Sequence, residues 1–220
     1  MRILEDWYAH YLKNVHSSKF GWVDRFGHYY ALRSAVAGGR TLEIGPGTGS
    51  HLRFEDIGRQ TEYVGLDVWG EIAGAIEKAF PSVRLVIGDC QKRIDFPDNY
   101  FHRVIAIHVL EHLVDLPAAL DQIARVLRQD GLFSAVIPCE GGWAYKLGRR
   151  FTTQRMFEKR YGRPYGPIIR YEHVNTVWEI LDAIAQRFRT VHRTSFPLRV
   201  PSPNLNLVLG LTLSPIKSQQ

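Results

Sequence analysis

The sequence predicts a doubly wound α/β fold in which strands alternate with helices. Three observations carry that reading. From Thr41 onward short β-type runs alternate with helical patterns, the runs are almost continuously apolar, and a glycine-rich turn closes the first of them. Continuous apolar runs without period-two alternation mark strands covered on both faces. Alternation with helices makes the sheet mostly parallel, with right-handed crossovers. At 220 residues, 45% hydrophobic and 23% charged, residues 1–220 read as a single domain with an insertion and not as two small domains.

Taken in order, residues 1–39 predict an amphipathic helical cap, with Leu4, Tyr8 and Tyr11–Leu12 at helical spacing and a second pattern from Tyr29 to Ala37. Gly38-Gly39 ends it. Strands are expected at Thr41–Ile44, Tyr63–Leu66, Val83–Ile87, Arg103–Ile107 and Leu132–Ile137. Between the second and third strands a helix keeps Ile72, Ala73, Ile76, Ala79 and Phe80 on one side and stops at Pro81. Another runs from about Leu116, with Ala119, Leu120, Ile123, Val126 and Leu127 inward and Gly131 as its C′ residue. Residues 139–172 form a Gly-, Arg- and aromatic-rich insertion with little periodicity. Thr176 and Glu179 then make a capping box ahead of Ile180, Leu181, Ile184 and Phe188. Two β-like stretches, Arg189–Ser195 and Asn204–Leu213, finish the chain.

Composition excludes several classes. No apolar run approaches the ~20 residues that span a bilayer, and the N-terminus carries Glu5 and Asp6 with no small-residue cleavage site. Cys90 and Cys139 are too few for a disulfide framework or a Cys-rich zinc site. A soluble, cytoplasmic chain is the expectation. Charge is unevenly placed: residues 141–170 hold eight Lys/Arg against Glu158 alone, a net +7 in a chain of +6. That is either a solvated face or an electropositive wall facing an anionic partner.

The most informative stretch is Glu43-Ile44-Gly45-Pro46-Gly47-Thr48-Gly49-Ser50. Glycines at spacing two, after a buried strand, make a tight turn that a ligand can approach closely, with a helix expected from near Thr48. A dinucleotide fingerprint would place Gly or Ala where Ser50 stands. Glu43 would repel a pyrophosphate and favour a cationic ligand such as a sulfonium. Asp67, at the end of the second strand, is placed to accept the hydroxyl hydrogens of a ribose. Asp89, in Gly88-Asp89-Cys90, is placed for an exocyclic amino group. All sit at the carboxyl ends of the first three strands, the binding edge of such a sheet.

His108-Val109-Leu110-Glu111-His112 also spells a pattern found in one class of zinc peptidases. That chemistry needs both histidines on one helix face, whereas His108 is expected to close a strand. No metal is expected.

These residues together resemble the class I S-adenosylmethionine-dependent methyltransferases, of the branch acting on ubiquinone precursors and other small molecules. The resemblance is close over about residues 38–140. Gly45, Gly47 and Gly49 behind Glu43 match the family's first motif, Asp67 its ribose acid, and Asp89-Cys90 its adenine contact. Phe96-Pro97-Asp98-Asn99-Tyr100-Phe101 and Leu110-Glu111-His112-Leu113 continue the match. Two departures are visible: His102 stands where the family usually has Asp, and Gln129-Asp130 replaces the usual Pro-Gly. The resemblance implies strand order 3-2-1-4-5-7-6 with the seventh antiparallel, S-adenosylmethionine as cofactor and S-adenosylhomocysteine as product. His108 then lies near the cofactor. The candidates for a general base are His112 first, then His108, Glu111, Glu140 and His173. The family's base-methylating members carry an Asn/Asp-Pro-Pro-aromatic tetrapeptide after the fourth strand, which this chain lacks, so a nucleic-acid acceptor is disfavoured.

The acceptor is expected to be an anionic small molecule, such as a nucleotide-linked sugar, a glycan or a lipid-like compound. Arg149, Arg150 and His173 are its expected contacts, with six aromatics interleaved among the cations of residues 141–170. A peripheral membrane contact of that segment is a further option. A binding module that keeps the fold without turnover, and a dehydrogenase, are the rival classes. Oligomeric state is not readable.

Overall fold

The computed structural model describes residues 6–7, 21–70 and 73–216. Its centre is one seven-stranded sheet: β1 (Arg40–Ile44), β2 (Glu62–Asp67), β3 (Val83–Ile87), β4 (Phe101–Ile107), β5 (Leu127–Pro138), β6 (Phe188–Phe196) and β7 (Val208–Pro215). The order is β3-β2-β1-β4-β5-β7-β6. β1 to β5 pair in parallel, and β7 runs antiparallel between β5 and β6. Order and direction are those expected.

The strands form because both faces are covered. Val104, Ile105 and Ala106 of β4 are fully buried, as are Ala135, Val136 and Ile137 of β5. On one face α3 (Leu116–Val126) and α7 (Val177–Ala185) pack Leu120, Ile123, Ile180 and Ile184 against the central strands. On the other, α1 (Gly21–Ala31) places Tyr30 against Val136 and Val208. The α3 terminus is fixed by Asp115, whose side chain accepts the Ala118 amide at 3.1 Å. The capping box at Thr176 and Glu179 is present at α7, where such a cap contributes about 1 kcal/mol.

The sheet also carries a buried ionic network. Arg103 of β4 is fully buried and its Nη1 lies 2.8 Å from Glu55 Oε1. Its other nitrogens donate to Ser34 Oγ at 2.9 Å and to the Ala31 carbonyl at 2.6 Å. His51 reaches the same Glu55 oxygen at 2.8 Å. The strand edge, the end of α1 and the segment after β1 are tied together by charge as well as by apolar contact.

Several expectations are corrected. No α-helix starts near Thr48. Gly45, Gly47 and Gly49 all have positive φ, which breaks right-handed helical geometry, and the chain passes through a turn into a 3₁₀ helix at His51–Arg53. Gly131 is not a C′ residue, because α3 ends directly into β5 at Leu127. Gly131 lies where the β4–β5 register shifts, and a Cβ there would stand 2.9 Å from the His102 carbonyl oxygen. Between β2 and β3, α2 (Ala73–Ala79) buries Ile76, but Ala79 is exposed and Ile72 is outside the described residues. Residues 1–5 and 8–20 of the 1–39 cap, with Leu4, Tyr8 and Tyr11–Leu12, also lie outside them; what is described is Asp6, Trp7, α1, a 3₁₀ turn at Leu32–Ser34 and the residues up to Gly39. The last β-like stretch begins at Val208, Asn204 and Leu205 belonging to a 3₁₀ turn.

The largest correction concerns the insertion. It is helical: α4 (Trp143–Phe151), α5 (Thr153–Tyr161) and α6 (Gly166–Glu172). Phe157, Tyr165 and Ile169 are buried against Trp7 in a core of their own. The helices are therefore held by a partner distant in sequence, and α4 itself buries no residue fully.

Candidate active site

The glycine turn is built by backbone. Gly45 N donates to the Leu66 carbonyl at 2.8 Å and Gly49 N to that of Pro46 at 2.9 Å. Gly45 has φ +65°, and a Cβ there would stand 2.6 Å from Val109 Cγ2. Gly47 has φ +52° with nothing within 4 Å of where a Cβ would point. Its amide donates to Asp67 Oδ2 at 3.2 Å, and the other oxygen, Oδ1, accepts the Trp69 amide at 3.0 Å. The turn and the first acid are thus one unit. Asp89 Oδ1 accepts from the backbone and side-chain nitrogens of Gln91 at 2.9 and 3.0 Å. Beside these acids stand Val68, Trp69 and Ile87, each more than half exposed. Sequence reading missed these three; for Val68 and Trp69 the signal is an apolar pair directly after the strand-end acid Asp67, whereas Ile87 closes β3 two residues before Asp89.

Glu43 is placed otherwise than on an open face. It is 2% exposed, accepts the Tyr63 hydroxyl at 2.7 Å on Oε2, and burial raises its carboxyl above the usual range, opposed by His51 and Tyr63. Cys90 is likewise buried, its thiol pushed up to about 12, chiefly by that burial. A shallow cleft of ≈ 320 Å³ borders the turn, lined by Asp24, Arg25, Thr48, Ser50 and Arg53 among others.

The segment after β4 is not helical through His108. His108 has φ +54°, in the left-handed region, and its amide donates to the Val136 carbonyl at 2.9 Å. A 3₁₀ turn follows at Leu110–His112. The two histidines do not share a helix face, so the peptidase arrangement is not made. His108 Nδ1 faces Glu111 Oε1 at 3.5 Å. Burial opposes the His108 cation, but the Glu111 carboxylate outweighs it and raises the imidazole. Glu111 itself, 1% exposed, is held low despite its burial by His108, His112 and His173.

His112 and His173 are brought together, ring centroids 4.9 Å apart. Arg149 is turned inward: Nη1 donates to both Glu140 oxygens at 2.8 and 2.7 Å. Arg150, the next residue of α4, is exposed. Trp143, Leu147 and Phe151 form a stripe 59–78% exposed, with Lys146 and Arg150 beside it at helical spacing.

Residues 42–135 match a family described as a methyltransferase domain. An uncharacterised methyltransferase of Bacillus subtilis, YcgJ, is 32% identical over 102 residues, covering 44% of this chain and 40% of that protein. The rat mitochondrial arginine-hydroxylase NDUFAF5 is 34% identical over 97 residues, 42% of this chain and 26% of that one. The matches thus span less than half the length of either relative. Among solved structures, N-methyltransferase NodS of Bradyrhizobium japonicum, in complex with S-adenosylhomocysteine, superposes with a TM-score of 0.64 at 13% identity. That match covers 93% of this chain and 91% of NodS, and shares the fold. No described helix is long and apolar enough to cross a membrane. The segment that matches the methyltransferase-domain family, residues 42–135, holds the glycine turn and both strand-end acids, and the sheet around it has the order β3-β2-β1-β4-β5-β7-β6.

Proposed function

We propose that the chain transfers a methyl group from S-adenosylmethionine to an amphiphilic, anionic small molecule. One observation carries the cofactor half of this reading: the open space over Gly47, whose amide is tied to Asp67. These residues fit the cofactor. Asp67 would hold the ribose hydroxyls, Asp89 the adenine amino group, and Val68, Trp69 and Ile87 would wall the adenine ring. Glu43 would act from behind, holding the turn through Tyr63 and lending negative potential to the site. The bound cofactor supplies a methyl group already activated for displacement.

The protein's share of the chemistry is alignment and exclusion of water, with a base where the acceptor is a hydroxyl or protonated amine. His112 suits that task through its exposed ring and anchored Nδ1; His108 is held too close to Glu111 to be first choice. For the acceptor, the stripe of Trp143, Leu147 and Phe151 with Lys146 and Arg150 supports a ligand with an apolar body and a negative group. Arg149, bound to Glu140, supports the site from within.

Calorimetry with S-adenosylhomocysteine and NAD tests the cofactor assignment. Wild type should bind the former only, and Asp67→Asn should weaken it at least about tenfold, some 1.4 kcal/mol. Binding of NAD, or an unchanged affinity in Asp67→Asn, would overturn it. Because one relative is named a hydroxylase, turnover should be scored by mass: a gain of one methyl group in the acceptor is the expected product. For the acceptor half, Lys146→Glu with Arg150→Glu should raise the acceptor KM and leave cofactor affinity intact.

A further inference from the structure

Two segments far apart in sequence are stitched side by side. The amides of Val174 and Asn175 both donate to the Glu111 carbonyl, at 2.9 and 3.2 Å. Asn175 Nδ2 donates to the carbonyls of Leu110 and Leu113 at 3.0 and 2.6 Å. This holds His173 against His112 and Glu111, and potential ligand atoms of the three lie within 4.8 Å of one another.

The tautomers follow from the partners. His112 Nδ1 is 2.7 Å from the Glu172 carbonyl oxygen. A carbonyl only accepts, so Nδ1 carries the hydrogen and Nε2 of the neutral ring is bare. His173 Nδ1 is 3.2 Å from Glu140 Oε2, a carboxylate that also accepts from Arg149. By the same argument its Nε2 is bare. Glu111 turns Oε1 toward His112 Nε2 at 3.9 Å, too long for a hydrogen bond. Its Oε2 is buried and has no hydrogen-bond partner among the described residues. In the neutral tautomers these contacts select, each ring leaves Nε2 without a hydrogen, and the half-satisfied buried carboxylate of Glu111 belongs to the same cluster.

We propose that Glu111, His112 Nε2 and His173 Nε2 bind a divalent first-row transition-metal ion such as zinc. Two imidazoles and one carboxylate form a donor set such ions take, with a position left open. Both histidines also show the supporting contacts that metal ligands use, Nδ1 fixed on a carbonyl in one and on a carboxylate in the other. Ligand bonds of about 2.1 Å require the three side chains to close by about an ångström, a movement the exposed His112 ring can make by pivoting about its Nδ1 contact with the Glu172 carbonyl. His108 positions the carboxylate and is not a ligand.

Binding of the ion is independent of the methyl-transfer reading. Its use rests on that reading: the open position would hold an acceptor oxygen and lower the pKa of a hydroxyl there, replacing the role of base given to His112 above.

The test uses the full chain, stripped with chelator and titrated with Zn²⁺ by calorimetry and with Co²⁺ by visible absorbance. One equivalent of each should bind, with cobalt ligand-field bands. His112→Ala and His173→Ala should each weaken Zn²⁺ affinity at least about 100-fold. Glu140→Gln, which leaves all three ligands, should weaken it about 10–100-fold. Should His173→Ala fail to fold, His112→Ala, at an exposed position, carries the test. No stoichiometric binding, or wild-type affinity in the two histidine variants, overturns the site. S-adenosylhomocysteine binding, measured on the same samples, reports separately on the methyltransferase reading.

Discussion

Replacing Gly47 by Ala separates what the turn needs for folding from what it needs for binding. At φ +52° an L-residue pays the left-handed penalty of about 1–2 kcal/mol, and nothing stands within 4 Å to add a clash. In a chain of this size that lowers the melting temperature by about 2–8 °C. Gly38 supplies the control. It has φ +71°, is equally open, and lies just before β1, at the end of the strand away from the acids. Gly38→Ala should therefore cost as much stability as Gly47→Ala. Only the latter puts a methyl group into the space beside Asp67, and it should weaken S-adenosylhomocysteine at least about tenfold. Thermal denaturation and calorimetry on the two proteins give both numbers. Wild-type affinity in Gly47→Ala, or an equal loss in Gly38→Ala, would refute the placement of the ligand over this turn.

Other outcomes follow from the packing. Gly210→Ala sets a Cβ 2.5 Å from Tyr30 Cγ; a rigid ring cannot yield, and urea denaturation should show a loss of about 1–3 kcal/mol. Arg103→Met strands Glu55 without its buried partner and should cost about 3–5 kcal/mol, part of it recovered when Glu55→Gln is added; strict additivity would argue against coupling. The same carboxylate sets the acid limb of stability. Burial opposes the Glu55 charge, but His51 and Arg103 outweigh it and hold the carboxyl below its ordinary value of 4.5. The unfolded chain then binds more protons at this site than the native one, so stability rises with pH and is lost on acidification below that value. Glu55→Gln should flatten the fall in unfolding free energy between about pH 5 and 3; an unchanged slope would count against the ion pair.

The sheet was legible because its strands are buried on both faces, so Val104 to Ile107 reads as an unbroken apolar run and Leu132 to Ile137 as one interrupted only by Ser134. The cap at Thr176 and Glu179 was legible because it is local. What failed was non-local. The buried residues of α5 and α6, with Tyr165 between them, pack against Trp7, a contact no window of sequence contains, and the exposed face of the helices mixes cations with apolar side chains. Glu43 reads as a strand-end acid; its burial depends on Tyr63, on the next strand. The nearness of His173 to His112 depends on the Asn175 clamp, and Asn175 is unremarkable in the sequence.

The helical excursion from Gly141 to Glu172 leaves and returns at nearly one point: Val177 N donates to the Glu140 carbonyl at 3.0 Å, and His173 meets the Glu140 side chain. A loop whose ends are pinned can lengthen at little entropic cost, about 0.6 kcal/mol per doubling. The excursion is accordingly an exchangeable cassette: its body can change to suit another molecule while its neck keeps Glu140, His173 and the sheet in register.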